Sequence, residues 1–211
     1  ALIGPSGSGK TTLLRLLLNF YQPTKGFIRL GEISLSNIQS KLWRSKCGVV
    51  MQDGYVFSDT VAKNIALSDE IPDNHKLVNA AKLAHLQPFV DSLPMGFNTR
   101  IGNGGIGLSE GQRQRVLIAR AVYKDPEFLF LDEATNNIDP SGEAIILKNI
   151  RRYFAGRTMV VIAHKLSQVL HADHIIMLEA GTVVEKGSHD ELTAKRGAYY
   201  RWVKEQWEYG V

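Results

Sequence analysis

The stretch Gly4-Pro5-Ser6-Gly7-Ser8-Gly9-Lys10-Thr11 constrains this chain most, because it fits G-x-x-x-x-G-K-[ST], the pattern of a phosphate-binding loop. Three glycines let the backbone wrap so that several N–H groups point at one anion. Thr12-Leu13-Leu14-Arg15-Leu16-Leu17-Leu18 follows as a helix, whose positive end faces the same phosphates. Lys10 offers a cation to the β and γ phosphates, and Thr11 offers a hydroxyl to Mg²⁺. The competing reading is a plain Gly-rich turn before a helix.

The 211 residues are enough for one substantial domain, or for a core with a subdomain, and 44% apolar content supports a buried core. The net charge of +4 is mild, and the basic residues are scattered, so no nucleic-acid partner is expected. One cysteine, Cys47, lies in the apolar run Cys47-Gly48-Val49-Val50-Met51 and reads as a core thiol. It excludes an intrachain disulfide and fits a reducing compartment. No apolar stretch reaches the length needed to span a bilayer. Only Ala1-Leu2-Ile3 precede a loop that normally follows a full strand, so the chain reads as an N-terminally truncated fragment.

Short apolar runs predict strands at Phe27–Leu30, Cys47–Met51, Phe128–Leu131, Thr158–Ala163, Ile175–Leu178 and Thr182–Glu185. Helical patterns fall at Thr11–Phe20, Val61–Ala66, Asn74–Ala84, Ser109–Tyr123, Pro140–Phe154, Ser167–Leu170, His189–Ala194 and Ala198–Trp207. This alternation predicts an α/β fold with a parallel-rich sheet. Asp139-Pro140 marks an N-cap with Pro at N1, and Ser188-His189-Asp190-Glu191 fits a capping box. From about Asp53 to Asp125 the chain is helix-rich with no convincing strand, which predicts an inserted helical subdomain closed by the loop Gly102–Gly107. Trp43, Trp202 and Trp207 read as packing residues.

Phe128-Leu129-Phe130-Leu131-Asp132-Glu133 delivers two carboxylates at the C-terminal end of a buried strand, where α/β sheets bind ligands. Asp132 is suited to hold Mg²⁺, and Glu133 to take a proton from an attacking water. Leu108-Ser109-Glu110-Gly111-Gln112 opens a helix that Ser109 can cap, and Gly111 admits a phosphate close to the backbone. One γ-phosphate does not need two such sites from one subunit. The surplus suggests that the second serves another copy's nucleotide.

Taken together these motifs resemble the nucleotide-binding domain of ABC transporters over essentially the whole chain. Leu108–Gln112 is similar to the signature L-S-G-G-Q, with Glu110 in place of the usual third-position Gly. Gln52 resembles the Q-loop glutamine and His164 the switch histidine. Asn136-Asn137-Ile138-Asp139 resembles the D-loop, usually S-A-L-D, in which Asp139 and an apolar neighbour agree. Ser58–Ile65 and Thr99–Gly105 resemble exporter patterns, although Asn103 stands where a Glu is frequent. The texture, including Gly197-Ala198-Tyr199-Tyr200, is similar to bacterial peptide and bacteriocin exporters.

The resemblance implies a single P-loop NTPase (RecA-like) domain over 1–211, with 1–52 and 126–211 as α/β core and 53–125 as helical subdomain. It implies ATP binding by Gly4, Pro5, Ser6, Gly7, Ser8, Gly9, Lys10, Thr11 and Thr12. Mg²⁺ would be held by Thr11, Gln52 and Asp132, and catalysis would fall to Glu133, His164 and Gln52. Leu108, Ser109, Glu110, Gly111 and Gln112 would face a partner's ATP in a head-to-tail homodimer. The implied partner is an exporter's transmembrane domain, fused or separate, at the cytoplasmic face of a bacterial inner membrane, the fragment itself being soluble. Family members stack adenine on an aromatic residue upstream of the P-loop, so weak nucleotide binding is expected here. Two other readings stand beside this one: an ABC ATPase acting on DNA or ribosomes, and an ATP-binding switch with little catalysis.

Overall fold

The structure is a computed structural model that describes residues 1–67 and 69–208; the last three residues of the expected core lie outside them. It divides into two compact units, Ala1–Arg44 with Val160–Val211, and Ser45–Met159.

In the first unit the apolar runs become parallel strands. Leu2–Ile3 pairs with Ile175–Glu179 in the register Leu2↔Ile176 and Ile3↔Met177, and its other edge meets Ile162, the last residue of the strand Thr158–Ile162. Thr182–Gly187 returns antiparallel to Ile175–Glu179. The two-residue turn between them has positive φ at Ala180 and Gly181, the twist that a tight hairpin requires. Ile3, Val169, Ile175, Met177, Leu192, Tyr199 and Val203 form the buried cluster beneath these strands. The phosphate-loop helix runs Lys10–Leu17 and stops short of Phe20. Asn19 turns left-handed (φ 57), and the Phe20 and Asn19 N–H groups donate to the carbonyls of Arg15 and Leu16, a Schellman closure.

Two expectations in this unit need correction. Phe27–Leu30 is not a buried strand: only Arg29–Leu30 is extended, paired antiparallel with Ile33–Ser34, and Phe27 is 68% exposed. Trp207 is 75% exposed, in the last turn of the helix Ala198–Glu208, so it is not a buried packing residue. Trp43 is buried as expected, on the short helix Ser40–Ser45, and its indole N–H donates to the Leu17 carbonyl at 2.9 Å.

In the second unit Cys47–Val50 and Phe128–Asp132 pair in parallel from Cys47↔Phe128 to Val50↔Leu131. The helix Glu110–Tyr123 buries Val116–Ala119 and Ala121–Tyr123. Gly48 permits the close approach of helix to strand, since a Cβ there would lie 2.3 Å from the Ala121 carbonyl oxygen. Cys47 is only half-buried, yet burial, with the Glu127 charge added, pushes its thiol up to about 12. The helical stretch holds Val61–Ala66, Asn74–Leu83 and the unanticipated Gln87–Ser92. It also carries a small antiparallel pair, Asp59–Thr60 with Arg100–Ile101, where no strand was expected. Each partner strand is two residues long, and the paired residues lie about 40 positions apart in sequence, so no local period announces them.

Candidate functional site

The phosphate loop and His164 belong to the first unit. Gly4, Gly7 and Gly9 all have positive φ, at 142, 77 and 98°. A Cβ on Gly4 would sit 2.0 Å from the Leu178 carbonyl oxygen, so the loop begins where only glycine fits. Gly9 precedes Lys10 without a side-chain cap, which leaves the helix N-terminus to be satisfied by something else. Lys10 is 6% exposed, and its ammonium donates to the carbonyls of Gly4 at 2.8 Å and Pro5 at 3.0 Å. Ser8 is 2% exposed, and its hydroxyl has no hydrogen-bond partner among the described residues. A buried orphan hydroxyl beside a buried cation and a bare helix start suits an anionic ligand. Thr11 is half-buried, while Pro5, Ser6 and Thr12 are exposed. Gly4, Pro5, Ser6 and His164 line one cavity of about 460 Å³, shared with Arg201 and Trp202 of the last helix. His164 is fixed through its backbone N–H, which donates to Gln168 Oε1 at 3.1 Å.

The carboxylates, Gln52 and the signature belong to the second unit. Asp132 ends the strand Phe128–Asp132 fully buried. Glu133 follows in left-handed backbone (φ 53), a conformation that costs energy for any residue with a Cβ and concentrates at functional sites. Its Oε2 accepts hydrogen bonds from Gln52 Nε2 at 3.3 Å and from Asn136 Nδ2 at 2.9 Å. The structure thus joins Gln52 to Glu133. It also adds Asn136, which the sequence reading placed only within the D-loop.

Ser109 caps the helix Glu110–Tyr123 through its hydroxyl, and Gln112 returns the bond to the Ser109 N–H, completing a capping box. Leu108 precedes this cap, and Gly111 lies within its first turn. Glu110, the departure from the usual glycine, pairs with Arg113 at 3.5 Å, and Arg113 also donates to the Gly54 carbonyl just after Gln52. The same helix holds the D-loop. Gln114 Oε1 accepts the Asn137 N–H at 3.0 Å, and Arg115 reaches Asp139 Oδ1 at 2.8 Å. Asp139 caps the helix Pro140–Tyr153 as expected. Bonds from the Ser141 hydroxyl and then the Gly142 N–H, with Arg115 nearby, hold its carboxyl below the usual carboxylate range. Beneath the loop, Thr135 donates to Glu143 at 2.6 Å, both side chains buried. Gln114 and Arg115 escaped sequence reading because their partners are backbone and loop atoms 23 and 24 positions away.

The donors suggested for Mg²⁺ form a hard-oxygen set in type: a threonine hydroxyl, a glutamine carbonyl and a carboxylate. Among the described residues no helix is long and apolar enough to cross a membrane.

Residues 1–136 match the family described as "ABC transporter". The chain is 39% identical over 204 residues to the "Fatty acid ABC transporter ATP-binding/permease protein" of Mycobacterium bovis, a match that covers 97% of this chain and 32% of that protein. It is 46% identical over 199 residues to the "ATP-dependent lipid A-core flippase" of Burkholderia orbicola, covering 94% of this chain and 33% of that one. A solved structure of a bacterial Atm1-family ABC exporter with ATP bound superposes with a TM-score of 0.91 at 38% identity, over 97% of this chain and 36% of that chain. The chain spans about a third of the length of these two relatives.

Proposed function

The chain belongs to the ABC transporter family and has its α/β P-loop fold, and from that premise we propose that it is an exporter-type, ATP-hydrolysing domain whose residues share the work as follows. The observation that carries the proposal is the phosphate cradle: three left-handed glycines, an uncapped helix start, buried Lys10 and the orphan hydroxyl of Ser8. Gly4 to Thr12 wrap the triphosphate, and Lys10 exchanges its two carbonyl partners for phosphate oxygens. Thr11, Gln52 and Asp132 would hold Mg²⁺, which would supply charge neutralisation for the triphosphate.

Glu133 accepts a proton from water as the water oxygen attacks the γ-phosphorus. The bond to the β–γ bridging oxygen breaks, and that oxygen leaves with ADP. His164 orients the γ-phosphate. Segment 53–125 acts as the helical subdomain, with 1–52 and 126–211 as core.

Two copies meet head to tail, each presenting Ser109 and Glu110–Gln112 to the other's γ-phosphate. Hydrolysis removes that link and lets the pair open. A transmembrane partner, fused or separate, is moved by this cycle at the cytoplasmic face of the membrane. Cargo is a separate question. The relatives above are named for fatty acid and lipid A-core, the sequence texture resembles peptide exporters, and proteoliposome transport assays with both classes distinguish them.

The test is Glu133→Gln in the complete protein that carries this chain. Removing a general base costs about 10²–10⁴-fold in rate, roughly 3–5 kcal/mol. MgATP affinity is expected to persist while turnover collapses. Near-normal turnover would remove Glu133 from the role assigned to it.

A further inference from the structure

The Asn136 side chain touches Glu133, the base assigned above, and has no assigned task. We propose that Asn136 is a positioning residue for hydrolysis, aiming the Glu133 carboxylate by donating from its amide to Oε2. This inference rests on the assignment of Glu133 as the base.

Four observations support it. Nδ2 lies 2.9 Å from Glu133 Oε2, closer than Gln52 Nε2 at 3.3 Å, so Asn136 makes the shorter of the two amide contacts. The amide's orientation follows from chemistry: an ionised carboxylate only accepts, so the NH₂ must face it. Asn136 Oδ1 is then turned into a buried position, where it has no hydrogen-bond partner among the described residues. An orphaned buried acceptor is a cost without structural return, and it needs an explanation outside stability. Finally, Glu133 is held in left-handed backbone, and the Asn136 N–H reaches back to the Glu133 carbonyl at 3.3 Å. One residue therefore clamps both the backbone and the side chain of the base. The D-loop that carries Asn136 is itself anchored next door, where Gln114 accepts the Asn137 N–H.

This arrangement also gives the departure of the D-loop from its usual serine a use. Asparagine places a two-proton amide at the carboxylate, where serine would offer one short hydroxyl. The motif thus changes in the residue that meets Glu133 while keeping Asp139, which caps the next helix.

The test uses the complete protein with Asn136→Leu, which keeps size and removes the donor, and Asn136→Asp, which keeps shape and turns a carboxylate on Glu133. Both are measured for kcat, KM and MgATP binding, alone and with Glu133→Gln. A bond to a charged group predicts a fall in kcat of about tenfold or more for Asn136→Leu. A deeper fall is expected for Asn136→Asp, with ATP affinity unchanged in both. On the Glu133→Gln background neither change lowers the residual rate further, because the group they act through is gone. Parent-like kcat in both variants overturns the inference. So does an equal fall on the Glu133→Gln background, which is the mark of a general structural loss. If Asn136→Leu binds no ATP through misfolding, Asn136→Asp carries the same comparison. Full turnover by Glu133→Gln alone would instead strike the assignment of the base, so the two failures are distinct.

Discussion

Replacing Lys10 with methionine separates the two uses of this side chain. Methionine keeps the aliphatic stem and removes the charge. In the structure Lys10 is 6% exposed and its ammonium donates to two neutral carbonyls, Gly4 O at 2.8 Å and Pro5 O at 3.0 Å. On binding ATP it trades such acceptors for charged phosphate oxygens. A neutral hydrogen bond is worth about 0.5–1.5 kcal/mol net, and one to a charged group about 1.5–3. The differential gain is about 1–2 kcal/mol, so MgATP should bind Lys10→Met roughly 5- to 30-fold more weakly. The free protein should respond much less. Two carbonyls lose a donor, but a buried ammonium no longer has to be desolvated, and the net shift should stay within about 1 kcal/mol. Isothermal calorimetry with MgATP and urea denaturation of the ligand-free protein measure the two quantities. An unchanged Kd would remove Lys10 from the binding site. A stability loss of about 3 kcal/mol or more, with affinity following it, would make Lys10 a structural residue.

Gly4→Ala drives a Cβ against the Leu178 carbonyl oxygen at a backbone angle side chains avoid, and backbone has no cheap way to yield. A loss of about 2 kcal/mol or more is expected, read as a fall in Tm of roughly 4–8 °C; an unchanged Tm would refute the close approach. Burial pushes the Cys47 thiol up to about 12 and so shrinks its thiolate fraction, and a thiol-specific reagent should label it far more slowly folded than unfolded. Its raised folded value means that its contribution to stability is complete below the unfolded value and lost as pH rises through the folded one; equal labelling rates in both states would contradict the burial. Asp139 works in the opposite sense: its lowered value stabilises the fold above the ordinary carboxylate range and loses that effect as pH falls through the folded value. Asp139→Asn should therefore flatten the acid limb of a urea-midpoint profile taken from neutral pH to about pH 3; an unaltered limb would show that its cap bonds do not matter.

The legible parts of this chain are those set by local chemistry. The phosphate loop could be read because glycines, a lysine and a hydroxyl at fixed spacing describe one backbone path around an anion, and the structure gives that path at Gly4, Gly7 and Gly9. The caps at Asp139, Ser188 and Ser109 were visible for the same reason, since each acts within three residues. What the sequence hid depends on distant partners. Phe27 and Ile28 look like a core strand, but Arg29–Leu30 pairs with Ile33–Ser34 in a two-stranded ribbon, and Phe27 stays at the surface. Asp59–Thr60 meets Arg100–Ile101 across a long stretch of chain, and two residues are too few to show a period. Trp207 continues the i, i+4 stripe of Tyr199 and Val203 but lies one residue from the end of its helix, and it stays exposed. At the site, Asn136 was visible as a letter in a motif, but it is the folded loop that brings its amide to Glu133.

The central claim is that two copies close on shared ATP, the phosphate loop of one against the signature of the other. The most direct measurement is crosslinking in the complete protein carrying Glu133→Gln, with cysteines placed at Ser6 and Ser109 and a short thiol crosslinker. The account predicts inter-subunit Ser6–Ser109 links that form with MgATP and disappear with MgADP. Links that are absent with MgATP, or equally abundant with either nucleotide, would contradict it.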